Sequence, residues 1–226
     1  MSEWWSYTLS DLLMFSAKTY YRMFELYNAA IWPAHLLAAV AGVAIILCAM
    51  RGGAHASRLA AALLAACWLW VAWAFHLQRY ADINSAGGIF AFAFALQALL
   101  LLWFGGVRGK LALLPMRNAI RRPALGVLLF AMLGYPLLVA VGRRSWMQME
   151  LFGVAPDPTA LATLGVLVLT GPGRWLLWPI PLLWSAITGA TLWTMQAPDF
   201  WAAPFVALVA LRLAWSARVP RKSAEI

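Results

Sequence analysis

His35 and His76, in otherwise apolar surroundings, are the side chains with the widest chemistry to offer. Two imidazoles joined by Glu25 would suit a metal ion, and two imidazoles alone would suit a haem. Such ligands would come from separate helices with no motif tying them together, so hydrogen-bonded structural histidines are the simpler account of the same residues. A second set of polar groups surrounds them: Glu25, Arg79 and Tyr80 follow or face the histidines, while Asp157 and Thr159 open a later apolar run. Together with His76 they could line a ligand cavity, with Tyr135 and Gln97 deeper. Gln97 lies about 16 Å along its apolar run at 1.5 Å per residue. A hydrogen bond that holds two helices together is the simpler account of it.

Several familiar mechanisms fail on residue types. A retinal Schiff base needs a lysine in mid-membrane, and Lys18, Lys110 and Lys222 all lie outside the apolar runs. Proton pumps and many ion-coupled carriers place carboxylates near the midplane, and none of the eight acids is expected there. No P-loop, Gly-x-Ser-x-Gly, Cys-x-x-Cys or His-Glu-x-x-His string is present, so nothing marks an enzyme and no cofactor is expected. Cys48 and Cys67 each stand alone in an apolar run, which excludes a disulfide scaffold and gives little support to thiol-based metal carriage.

The elements that must position these residues follow from composition. Of the 226 residues, 64% are hydrophobic and 11% charged, and the mean hydropathy is +0.78. A water-soluble domain is nearer half apolar and a quarter charged. The fold class expected is therefore all-α, a polytopic transmembrane helical bundle. A span needs about 20 apolar residues, and seven runs qualify: 28–50, 59–75, 86–104, 123–142, 151–170, 175–195 and 200–217. The formal charge of +9 comes from 17 basic and 8 acidic residues. With the N-terminus outside, twelve of the basic residues fall inside and five outside, which supports an N-out, C-in orientation. The excess charge is then an orientation signal and requires no nucleic-acid partner.

Residues 1–27 read as an interfacial segment. Ser16 can cap a helix on which Tyr20, Met23, Phe24 and Tyr27 share one face and Lys18, Arg22 and Glu25 the other. Trp4 and Trp5 upstream suit headgroup depth. Residues 28–217 form the transmembrane domain and 218–226 a basic cytoplasmic tail. The fourteen tryptophans mark interfaces and fill the bundle, and an aromatic cage for a cation is a further reading of them. Ala61, Ala65, Ser185 and Gly189 permit close helix approach. Arg143 and Arg144 sit outside against the charge rule, where they would pair with outer acids or meet an anionic substrate.

The fifth run is the most irregular. Pro156 and Pro158 cannot occupy a helix interior, whereas Asp157 followed by Pro158 suits an N-cap and N1 pair. A helix from there to Thr170 is only about 20 Å long. Residues 151–156 would fill the remaining depth as an extended or re-entrant stretch, tolerated only against protein or a wet cavity. Thr159 and free N–H groups at that helix start could face an anion, unless Asp157 takes the role.

Glu25-Leu26-Tyr27-Asn28 with Trp32-Pro33, His76-Leu77-Gln78-Arg79-Tyr80, Gly134-Tyr135-Pro136 and Pro156–Thr159 carry a resemblance across nearly the whole chain. They resemble an uncharacterised bacterial family of multi-pass membrane proteins, a domain of unknown function. The resemblance implies integral-membrane architecture in a bacterial inner membrane, and it transfers no reaction and no ligand. The function expected is small-solute transport or ligand binding through an outward-facing cavity. The alternatives are a membrane redox, metal- or haem-binding protein using His35 and His76, and an accessory subunit or sensor of a membrane complex. Its expected partners are the lipid bilayer and either further copies of itself or a membrane complex.

Overall fold

The computed structural model describes residues 15–113, 118–171 and 174–217, in which all regular structure is helical. Glu3, Trp4, Trp5, Asp11, Pro172 and the tail from Arg218 onward lie outside the described residues. Helix α1 (Ala17–Ala30) is capped by Ser16, whose hydroxyl accepts from the Thr19 N–H at 3.2 Å. Tyr20, Met23, Phe24 and Tyr27 are its buried side, the i, i+3, i+4, i+7 stripe of an amphipathic helix.

Helix α2 (Ala34–Arg51) follows a turn that contains a cis Trp32–Pro33 bond. The first expected run, 28–50, is therefore divided, and its opening residues complete α1 and the turn. Helix α3 (Ala54–Trp70) continues through a π-helical stretch (Val71–Leu77) and a 3-10 turn (Tyr80–Asp82). Helix α4 (Gly87–Leu101) likewise widens into a π-helix at Leu102–Val107. Helix α5 (Asn118–Leu129) passes through a π-helix (Phe130–Gly134) and a 3-10 turn (Tyr135–Leu137) into the short α6 (Leu138–Val141). Pro136 stands in that turn, because a proline removes the N–H that a regular α-helix would use. A 3-10 turn at Trp146–Gln148 precedes α7 (Pro156–Leu169), and α8 (Pro179–Thr194) and α9 (Ala202–Ser216) complete the described chain.

Five segments are long and apolar enough to cross a membrane: Ala34–Arg51, Ala54–Asp82, Gly87–Val107, Ala119–Val141 and Trp175–Thr194. Pro156–Leu169 and Ala202–Ser216 are apolar but shorter. The seven expected runs thus correspond to five full-length segments and two short helices.

Helix α7 is the centre of the bundle. All fourteen of its residues are buried, against α3, α5, α8 and α9. It starts at Pro156, one residue before the expected capping Asp157, with Ala155 as its N-cap. Phe152, Gly153, Val154 and Ala155 ahead of it are buried too. Protein lines this irregular stretch: Tyr27 Oη donates to the Val154 carbonyl at 2.8 Å. A Cβ on Gly153, at φ 81°, would lie 3.0 Å from Ala38 Cβ.

Close approach elsewhere depends on small residues. A Cβ on Gly105 would stand 2.2 Å from Ala61 Cβ, and one on Gly189 would stand 2.3 Å from Pro204 Cγ. Gly105→Val is therefore expected to cost about 1–3 kcal/mol by forcing α4 away from α3. Gly126, which has no atom within 4 Å of a Cβ, supplies the control. Thermal unfolding in detergent checks the pair: Gly126→Ala should keep or raise the midpoint, and equal midpoints for the two variants would refute the packing argument.

Candidate functional site

The first turn of α7 carries Asp157 into a set of donors on neighbouring helices. Tyr135 Oη donates to Asp157 Oδ2 at 2.6 Å. Trp184 Nε1 and Thr188 Oγ1 donate to Oδ1 at 2.5 Å and 2.6 Å. Trp184 and Thr188 are four residues apart, so one face of α8 presents both. Asp157 therefore does not act as an N-cap; its side chain turns away from its own helix to bind α8 and the turn after α5. The sequence expectation of a cap is corrected here, because three tertiary donors outweigh one local N–H.

Glu150 is buried as well, at 4% exposure, and its carboxyl lies close enough to Asp157 for the two charges to interact. Burial, and next the Asp157 carboxylate, push the Glu150 carboxyl well above the usual carboxylate range. A buried carboxyl beside a carboxylate favours its protonated form. Arg144 closes the cluster. Its Nη2 donates to Asp199 Oδ2, its Nη1 stands 3.8 Å from Glu150 Oε1, and its guanidinium lies 4.6 Å from the centre of the Tyr21 ring. Two buried carboxyl groups, Glu150 and Asp199, thus face one guanidinium, and a proton on Glu150 brings the charges closer to balance.

His76 adjoins this cluster through Trp184. The imidazole is fully buried, with ring centres 4.4 Å from Phe94, 4.9 Å from Trp184 and 5.8 Å from Tyr80. Neither ring nitrogen has a hydrogen-bond partner among the described residues. Tyr80 sits in the same aromatic group, with its hydroxyl accepting from Asn84 Nδ2 at 3.1 Å.

Among the described residues, none of the remaining candidates hydrogen-bonds to Asp157. Thr159 Oγ1 accepts from the Gly153 N–H at 2.9 Å and donates to the Ala155 carbonyl at 2.7 Å. It fastens the irregular stretch to α7, and its hydroxyl is already engaged at both ends. Gln97 Nε2 donates to the Leu177 carbonyl at 3.0 Å, linking α4 to the turn before α8. Glu25 pairs with Arg22 at 2.6 Å on the outer side of α1. Arg79 lines an open cleft of about 350 Å³ with Lys18, Arg22 and Asp82. His35 stands 3.3 Å from Asn28 Oδ1 at the α1–α2 junction, in a different part of the fold from the aromatic group around His76. Among the described residues, no three His, Cys, Asp or Glu side chains gather as a metal site.

The donors Trp184 and Thr188 carry only their four-residue spacing as a sequence signal, shared with many structural pairs. Arg144 is visible as a misplaced charge, and its partners Glu150 and Asp199 as outer acids, but nothing in the order of residues joins them.

Neither the curated proteins nor the solved structures contain a match to this chain. One family model does match, over residues 17–224. The chain belongs to that family, described as a family of unknown function, DUF6064.

Proposed function

We propose that this protein is a small-solute carrier or binding protein of the bacterial inner membrane, in which solute binding is coupled to a proton held between Glu150 and Asp157. The observation that carries this reading is the buried carboxyl pair at the start of the central helix α7, with Asp157 accepting from Tyr135, Trp184 and Thr188. Ionisable groups inside a membrane bundle are costly, and proton relays are one of their main uses. In this reading all seven apolar helices cross the membrane, the N-terminus is outside, and α1 lies in the outer interface. Solute enters from the outer side, where Arg79 and His76 flank the route to Asp157. Charge on the pair changes when the cavity opens, so proton and solute bias one equilibrium. The working form is a homo-oligomer or part of a membrane complex.

Asp157→Asn tests this without removing the scaffold. The amide oxygen can keep Trp184 and Thr188, and the amide N–H groups can donate to Tyr135 and Glu150. The purified protein is screened by thermal shift against sugars, amino acids, organic anions and organic cations at pH 5.5 and 7.5. At least one solute should raise the unfolding midpoint to different extents at the two pH values, and in Asp157→Asn that difference should vanish. A wild-type protein that no solute stabilises, or a variant that retains the full pH dependence, would overturn the proposal.

A further inference from the structure

A cavity of about 470 Å³ lies between the end of α1, the first turn of α2 and the 3-10 turn at Trp146–Gln148. Trp32, His35, Trp146, Met147 and Met149 line it, and no carboxylate or thiol is among its lining residues. Glu150 and Asp157 are not among its lining residues, although Met149 and Leu151, on either side of Glu150, are. The cavity's own chemistry does not use the carboxyl pair.

Asn28 organises the cavity wall. Its Nδ2 donates to the carbonyls of both Met147 and Met149, each at 2.9 Å. Carbonyls only accept, so the amide NH2 must face them and Oδ1 must face His35. Oδ1 lies 3.3 Å from His35 Nε2 and can only accept as well. The proton is thereby placed on Nε2, and Nδ1 is left with a free lone pair. That nitrogen is buried and has no partner among the described residues. A buried acceptor without a donor is costly, and a ligand is one way to satisfy it.

One side chain thus orients an imidazole and anchors the backbone at two methionines that line the same cavity. Fixing the far nitrogen of an imidazole by an outer hydrogen bond is the usual support for a metal-ligating histidine. Thioethers are soft, neutral donors, which with imidazole select monovalent soft ions over zinc, magnesium or calcium. The Trp32 ring, centred 6.1 Å from the His35 ring, offers a π face to a cation of low charge. We propose that His35 Nδ1 and the thioether sulfurs of Met147 and Met149 form a binding site for a soft monovalent cation, Cu(I) or Ag(I). Binding involves no change in oxidation state.

The test titrates the full chain in detergent with silver nitrate, free of chloride. A parallel series uses Cu(I) competed with bicinchoninate under anaerobic ascorbate. Both run in a Cys48→Ser, Cys67→Ala background, so that thiols cannot supply the site. One equivalent should bind, with sulfur and nitrogen ligands in the copper X-ray absorption edge. Met147→Leu with Met149→Leu conserves volume and should abolish that equivalent while leaving the metal-free unfolding midpoint unchanged. Met195→Leu, which is not among the lining residues, should leave it intact. Asn28→Leu should weaken it by about 10–100-fold. No bound equivalent, binding that survives the double methionine substitution, or zinc bound as tightly as silver would each overturn the proposal.

Discussion

Arg144→Leu is expected to destabilise the protein by about 3–5 kcal/mol, more than any other single substitution in the bundle. The Arg144 side chain is only 7% exposed and, among the described residues, is the cation paired with both Glu150 and Asp199. Its value does not lie in the strength of the ion pairs, since desolvation offsets most of the attraction. The cost arises because leucine would leave the Asp199 carboxylate buried without a counter-charge, with the Glu150 carboxyl nearby. It follows that Asp199→Asn, harmful alone, should recover part of the loss when combined with Arg144→Leu. Arg144→Lys keeps the charge but loses the fork that reaches two acids at once, and should fall between. Unfolding in mixed micelles by denaturing detergent measures all four proteins. A double variant less stable than Arg144→Leu alone would show that the cluster is not held together by charge compensation.

The same cluster shows how far the amino-acid order could be read. The start of α7 was legible because Pro156 and Pro158 fix the backbone, and the helix is short because the apolar stretch 151–155 ahead of them is irregular, with Gly153 at a positive φ. The buried face of α1 was legible because α1 is amphipathic, with polar residues opposite Tyr20 and Phe24. Its central neighbour was not. Helix α7 is apolar all round, and in a membrane chain a lipid-facing surface and a protein-facing surface carry the same residues. The rule that a helix apolar on every side is buried therefore cannot separate the core of the bundle from its rim. The role of Asp157 is hidden for a related reason. Local sequence offers Asp-Pro as a cap, whereas the partners that win are 22, 27 and 31 residues away along the chain. The π-helical stretches at Val71–Leu77, Leu102–Val107 and Phe130–Gly134 were equally hidden. Each adds one residue per turn without altering an apolar run, yet the first of them sets where His76 points.

Glu150→Gln is expected to remove a pH dependence of stability that the wild-type protein carries. An unfolded glutamate loses its proton near pH 4.3, while in the fold burial and the Asp157 carboxylate hold the Glu150 carboxyl well above that. Between those two values the folded protein keeps a proton that the unfolded chain has released. Stability from this group is therefore complete below about pH 4.3 and declines as pH rises, by up to about 1.4 kcal/mol per pH unit. The decline ends once pH passes the folded value and both states have lost the proton. Glutamine imitates the protonated carboxyl at every pH, so the variant should match the wild type in acid and exceed it in stability toward neutral pH. Unfolding curves between pH 4.5 and 8 decide the matter: the slopes should differ by up to one proton, and parallel curves would place Glu150 outside the coupled pair. The direction matters for function as well as for folding. If the proton at Glu150 is coupled to solute binding as proposed, Glu150→Gln should bind solute without responding to pH.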